Sequence, residues 1–302
     1  MCCLFGMIDT QRRFTGREKT LMMHALATAA GERGTDTAGI AYNTPSGLVV
    51  RKSPVPGHKL RFRLRSDTIT AMGHARMTTQ GDEKQNRNNH PFLGCAGGET
   101  FALAHNGVIH NDKELRREFN LPQTNIETDS YAAVQLIEKK QALDFSSLAF
   151  AAEWLLGSFT FTMLDRRNNL YVVKGDSPLC LLHYPEIGLF LYASTQAIMT
   201  ESLRMLCNPP WEAVRIELDC GEIAKIDRYG IVTRAGFDTT NLYLGCPSYR
   251  FPFCRRSHRF EHEYIEDLKS VASSFGYEPE VVDRLLACGH QPEEIEEFLY
   301  EM

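Results

Sequence analysis

No stretch of this 302-residue chain approaches the roughly 20 apolar residues that a membrane-spanning helix needs, and no basic-then-apolar leader precedes the first strand-like segment. A cytoplasmic location is the expectation. Paired cysteines are missing too. The nine cysteines include no C-x-x-C spacing, and their odd number suits free thiols in a reducing compartment better than a disulfide scaffold. Positive charge is in deficit, 33 Lys and Arg against 38 Asp and Glu, and no basic run stands out, so neither nucleic acid nor a membrane is expected as a partner. Internal repeats and low-complexity segments are absent. What remains is ordinary globular composition, 43% hydrophobic and 24% charged, enough for one large domain or one domain with an appendage.

Apolar spacing predicts a helix over residues 17–31, ending at Gly31. AGIAYNTPSGLVVRKS reads as a hairpin, TITAMGHARM and TFALAHNGVI as strands, and QGDEKQNRNNHPF as a polar loop between them. Asn111 is placed to cap a helix over NDKELRREF, and Thr128 or Asp129 to open one over TDSYAAVQLIEKK. From Gly157 the period turns strand-like through GSFTFTMLD, NNLYVVKG, LCLLHY and GLFLYAS, then VRIEL, EIAKI and GIVTRA, which implies a second antiparallel sheet. The organisation expected is a main domain over residues 2–235, an irregular linker over 236–258, and a small acidic helical module over 259–302.

Four constellations carry candidate chemistry. Once Met1 is removed, Cys2 holds a thiol and a free α-amine on one residue, and that amine, with a reference pKa of about 7.7 to 8, can serve as its own general base. The plain alternative is that Cys2 and Cys3 are small buried hydrophobes. In GHARMTTQG, Arg76 and Thr79 stand where a strand becomes a loop and suit a carboxylate, although an Arg in a polar loop is common. In HNG, the Asn106 amide and the Gly107 N–H suit a developing oxyanion, although Asn-Gly is also the commonest hairpin signal. Asp129 in ETDS suits an ammonium group or a helix N-cap.

In order, MCCLFG, RGTDTAGIA, GHARMTTQG, NNHPF, LAHNGVIHN and ETDS resemble the successive motifs of class II glutamine amidotransferases, which are N-terminal-nucleophile hydrolases. The GDSPL and ASTQAI segments strengthen a likeness to the glutaminase domain of glucosamine-6-phosphate synthase. The resemblance spans residues 2 to about 235. It implies an α+β fold, a four-layer αββα sandwich, here followed by the small C-terminal helical module. It further implies that Cys2 is the nucleophile, that Asn106 and Gly107 form the oxyanion hole, that Arg76 and Thr79 hold the glutamine α-carboxylate, and that Asp129 holds the α-ammonium. His90 reads as structural. The substrate would be L-glutamine, with no cofactor and no metal. A chain ending in a helical tail leaves no room for isomerase domains, so an ammonia-accepting synthase subunit is the expected partner, unless amide hydrolysis alone is wanted.

Departures from the family pattern are Cys3 in place of Gly, Met77 in place of Trp or Tyr, and Gln80 in place of a frequent His. Hydrolysis of other γ-glutamyl amides, or a non-catalytic glutamine-sensing role, stand as alternatives. Cys246, Cys254, His258 and His262 form C-x7-C-x3-H-x3-H, whose first spacing is unusual for zinc, so a structural or surface role is expected for them.

Overall fold

Cys3, Phe5 and Met7 alternate with Leu4 and Ile8 along β1 (Cys3–Asp9), and all of them are fully buried because both faces of this strand are covered. The computed structural model describes residues 2–208 and 210–242 and, beyond them, 265, 268–269, 271–273, 276–288, 295 and 299. The chain divides into two compact units, residues 1–243 and 244–302.

In the first unit, β1 lies inside a seven-stranded antiparallel sheet with β2 (Thr37–Thr44), β3 (Gly47–Ser53), β4 (Thr70–Arg76), β9 (Cys180–Tyr184), β10 (Leu189–Ala193) and β11 (Val214–Arg215), in the order β11-β9-β10-β1-β4-β2-β3. A six-stranded sheet faces it, built from β5 (Phe92–Ala96), β6 (Glu99–Ile109), β7 (Gly157–Asp165), β8 (Leu170–Lys174), β12 (Glu222–Ile226) and β13 (Val232–Gly236), in the order β13-β12-β8-β7-β6-β5.

Three apolar layers hold this together. Cys3, Phe5 and Met7 pack with Met23 and Leu26 of α1 (Gly16–Ala30) and with Ile198 and Met199 of α5 (Gln196–Met205). Leu4 and Ile8 point the other way, into an inter-sheet layer with Ala102, Ala104, Leu164 and Val172. On the far side, Phe101, Leu103 and Phe161 meet Leu115 of α2 (Asp112–Glu118), Val134 and Ile137 of α3 (Tyr131–Lys140), and Leu148 of α4 (Phe145–Trp154). The order of layers is therefore helix, sheet, sheet, helix, the αββα sandwich.

Several elements escaped the periodicity. FSSLAFAAEW is apolar on nearly every side, so α4 shows little amphipathic contrast, and its start is marked instead by the Asp144 carboxylate accepting from the Ser147 N–H. Thr195 caps α5 in the same way. FLGCA becomes β5 because Gly97 and Gly98, at φ +58° and +81°, turn the chain back against β6. Asn111 does stand before α2 but makes no cap hydrogen bond: its amide donates to the Trp154 carbonyl and accepts from the Leu156 N–H.

Residues 237–242, read from the sequence as linker, pack with the first unit. The Phe237 N–H donates to Gly221 O, and the Gly157 N–H donates to Asn241 O. In the second unit the described residues include α6 (Glu280–Ala287) and an apolar cluster of Leu268, Ala272, Val282, Ile295 and Leu299. No helix among the described residues is long and apolar enough to cross a membrane.

Candidate active site

Antiparallel pairing of β1 with β4 matches Cys3 to Ala75 and Leu4 to His74, so one step further along the same register Cys2 faces Arg76. Cross-strand partners share a face of the sheet, which puts the thiol and the guanidinium together on the inter-sheet side. The Cys2 Sγ lies 3.5 Å from the Met77 carbonyl. Burial pushes the Cys2 thiol above its ordinary pKa, opposed in part by the Met77 contact and the Arg76 charge. A raised pKa leaves little thiolate at neutral pH, so attack by Cys2 needs a base at hand.

Arg76 is 2% exposed at the last position of β4, and its guanidinium is already oriented. Nη1 donates to Asn89 Oδ1 at 2.7 Å, and Nη2 donates to the Gln80 carbonyl. Asn89, fully buried, donates from Nδ2 to Glu83 O and accepts the Lys52 ammonium on its own carbonyl at 2.5 Å. Burial, reinforced by the Arg76 charge, pushes Lys52 down to about 8. Asn88 ties the same loop to the segment before Asp129, donating to Glu127 Oε2 and accepting from the Glu127 N–H. Asp36 of the RGTDT segment accepts from the Thr78 N–H and fixes the chain just past Arg76.

Thr79, read together with Arg76 as a carboxylate-binding residue, is exposed, while the guanidinium itself contacts Asn89 and Gln80. If Arg76 holds the substrate carboxylate, Asn89→Ala is expected to raise KM for glutamine about 10- to 100-fold with kcat changed by less than about 3-fold, since a charge-assisted bond to its guanidinium is lost. Steady-state glutamate release checks it. Alkylation of Cys2 by iodoacetamide, which has no carboxylate, should proceed at the parental rate.

Asn106 and Gly107 lie inside the eleven-residue β6, not in a turn, so the hairpin reading of HNG does not hold. β5 pairs with β6 only as far as Leu103, leaving Asn106 and Gly107 with β7 as their strand neighbour. Gly107 has φ +132°, and a Cβ there would stand 2.0 Å from the Ser158 carbonyl, so glycine alone fits. The Asn106 Nδ2 approaches Ser194 Oγ at 3.5 Å, and that hydroxyl accepts the Leu4 N–H at 2.8 Å, so the amide reaches across the sandwich to β1 beside Cys2. Its Oδ1 is buried with no hydrogen-bond partner.

Asp129 is 5% exposed and does not cap α3. Its Oδ2 accepts the Ile109 N–H at 2.7 Å, two residues past Gly107, and its Oδ1 accepts from Ser130 Oγ. The charges of Cys2, Arg76 and Asp129 act on one another. The structure thus brings together Cys2, Arg76, Asn106, Gly107 and Asp129, and leaves Thr79 at the surface. Asn89, Asp36 and Ser194 were not singled out from the sequence. They stand in quoted motifs, NNHPF, RGTDT and ASTQAI, but their roles arise across strands.

Behind the site lie His74, His90 and His105, with the rings of His74 and His90 4.2 Å apart. His74 Nε2 contacts the His105 carbonyl, and both His90 nitrogens are buried without hydrogen-bond partners. Burial pushes His74 down to about 3 and lowers His90 and His105 as well. These rings stay neutral when folded but protonate near pH 6.5 when unfolded. For His74, stability is therefore intact above that pH and lost as it falls from there toward 3, by roughly 1.4 kcal/mol per pH unit, and His90 and His105 contribute losses of the same sign. Urea unfolding at a series of pH values should show this, with a shallower slope for His74→Phe.

The departures from the family pattern have simple consequences. Cys3 sits in ordinary extended strand and sends its side chain to the helix layer, on the opposite face from Cys2, so no glycine conformation is required. Met77 and Gln80 meet Cys2 and Arg76 through backbone carbonyls, which do not depend on their side chains. Cys246, Cys254, His258 and His262 lie outside the described residues. Among those described, no group of three His, Cys, Asp or Glu side chains is arranged to hold a metal, and the described cysteines are free thiols.

Comparison with known proteins points the same way as this geometry. A family model described as a glutamine amidotransferase domain matches residues 74–201. Glutamine–fructose-6-phosphate aminotransferase (isomerizing) of Listeria monocytogenes is 32% identical over 299 residues, 95% of this chain and 48% of that protein. The Bacillus cereus enzyme of the same name is 32% identical over 187 residues, 59% of this chain and 30% of its own length. The chain thus spans about a third to a half of these curated relatives.

Among solved structures, the glutamine phosphoribosylpyrophosphate amidotransferase of B. subtilis superposes with a TM-score of 0.60 at 19% identity, covering 80% of this chain and 50% of that one. The structure titled the allosteric regulatory enzyme of purine biosynthesis gives 0.62 at 18% identity, covering 90% and 58%. At such identities these superpositions speak for the sandwich, while the sequence relatives speak for the lineage. With residues 74–201 matching a glutamine amidotransferase domain, nearly the whole chain aligned to such an enzyme at 32% identity, and the shared sandwich fold, the chain belongs to the class II glutamine amidotransferases, the N-terminal-nucleophile type.

Proposed function

We propose that this protein hydrolyses the side-chain amide of glutamine through a thioester on Cys2, releasing glutamate and ammonia for an acceptor held by a partner synthase. The observation that carries this reading is the register of β1 and β4, which sets Cys2 opposite Arg76, while the Asp129 charge acts on Cys2 and Asn106 meets the Ser194 hydroxyl that accepts the Leu4 N–H. Arg76 pairs with the α-carboxylate and Asp129 with the α-ammonium, so the amino-acid end is read by charge and the side-chain amide extends toward Cys2. Thr79 adds a hydroxyl at the mouth once the loop meets substrate.

After Met1 is removed, the Cys2 α-amine takes the thiol proton as sulfur attacks the amide carbon. The carbonyl oxygen becomes an oxyanion that accepts from Asn106 Nδ2 and the Gly107 N–H. The amine then gives the proton to the departing nitrogen, which leaves as ammonia. Water adds to the thioester, its proton returning to the amine, and glutamate departs with the thiol restored. Burial raises the thiol pKa, so this sequence relies on the amine as the base.

Coupled detection of glutamate on mixing the purified, Met1-processed protein with glutamine tests the proposal. Turnover of glutamine faster than of N-substituted γ-glutamyl amides is the expected result. Equal turnover of bulky amides would reassign the enzyme to general γ-glutamyl hydrolysis, and retention of Met1 with no turnover would favour a glutamine-sensing role.

A further inference from the structure

A basic cleft on the outer face of α1 lies apart from the residues gathered around Cys2. Residues 57–65 read GHKLRFRLR, with Lys59, Arg61, Arg63 and Arg65 and no acid, in a chain of formal charge -5. The alternation sorts them: Leu60 and Leu64 are buried in the layer beneath α1, while His58, Lys59, Arg61 and Arg63 are exposed. His24, His58, Lys59, Leu60, Arg61 and Phe62 line a cleft of about 560 Å³. That size falls in the range of small-molecule sites and exceeds what a lone carboxylate fills.

The cleft is built into the fold. Gly57 packs so closely on α1 that a Cβ would stand 1.9 Å from Ala27 O, and the Leu64 N–H donates to Thr20 Oγ1. Lys19, fully buried and paired with Asp9, donates to the Ser66 and Thr68 carbonyls. The segment is thus fastened along its length, and the Phe62 ring stacks on His24 at 4.3 Å to make one wall. Among the described residues, none of Lys59, Arg61 and Arg63 forms an ion pair, whereas Arg65 is engaged by Asp67.

We infer that this cleft binds a small phosphate-bearing ligand, its phosphate oxygens accepting from Lys59, Arg61 and the imidazoles of His24 and His58. A phosphate ester carries about 1.5 to 2 negative charges at pH 7 and several acceptor oxygens, which matches several donors lining one cleft and suits the guanidinium fork.

Calorimetric titration of the full chain with inorganic pyrophosphate tests it. Saturable binding that weakens with salt is expected, at least about tenfold weaker in Lys59→Ser/Arg61→Ser and unchanged in Cys2→Ala. ADP and ribose 5-phosphate, titrated in parallel, distinguish a nucleotide from a sugar phosphate as the source of the phosphate. Equal weakening by Lys113→Ser/Arg117→Ser, which removes the same charge on α2, would overturn the site, as would absence of binding. Tighter binding of a single-stranded oligonucleotide, sensitive to Arg63→Ser, would replace it with a nucleic-acid surface.

Discussion

Cys2→Ala is expected to lower glutamate release from glutamine by at least about 10⁴-fold, because the bond-forming atom is gone and no neighbouring group can replace it. The thiol closest in sequence, Cys3, faces the helix layer on the other side of β1 and is fully buried. Cys2→Ala should still bind glutamine, since Arg76 and Asp129 belong to other elements, and intrinsic fluorescence or calorimetry can measure that affinity. Cys3→Ala should keep turnover within a few-fold and lose mainly packing. A protein that retains Met1 should resemble Cys2→Ala in turnover, and intact mass distinguishes the two forms. Equal glutamate release by processed parent and Cys2→Ala would remove the nucleophile assignment.

Asn106→Ala is expected to reduce kcat by about 10²- to 10³-fold with KM for glutamine little altered, the pattern of a donor that serves the oxyanion and not the ground-state amide. The side chain points between the sheets, touching only Ser194 with its amide nitrogen, so its removal leaves a small polar gap and not a broken core. Asn106→Asp separates charge from shape: a carboxylate of the same size repels the oxyanion and should be no more active than alanine. Thermal melting of both variants within a few degrees of the parent would show that the loss belongs to the reaction. A fall in kcat/KM carried wholly by KM would move Asn106 from oxyanion stabilisation to substrate binding.

These variants also show what was legible beforehand. Cys2, Arg76, Asn106, Gly107 and Asp129 could be named because each is a chemically distinctive residue type at the end of a hydrophobic run, and because their motifs fall in a familiar order. The strands were legible from alternation, and α1 from its 3.6-residue spacing. Where local signal failed, the physical cause is plain. α4 is apolar on most faces and so lacks contrast, and β5 is too short to declare itself before a partner strand covers it.

Sequence by itself determined the residue types on offer: a thiol at position 2, a guanidinium at 76, an Asn-Gly pair at 106–107 and a carboxylate at 129. It marked most strands as well, since period-two alternation is a property of neighbours along the chain, but not their sheets: β9, β10 and β11, read as part of a second sheet, join β1, and β6 joins β7. Only the tertiary structure decided that Asn89, thirteen residues away, holds Arg76, that Thr79 stands outside that contact, and that Asp129 turns to Ile109 instead of capping its helix. It also decided that Cys3 faces away from Cys2. Side-chain partners are chosen by register and by which face of a sheet is covered, and those are set by strands that lie far apart in the chain.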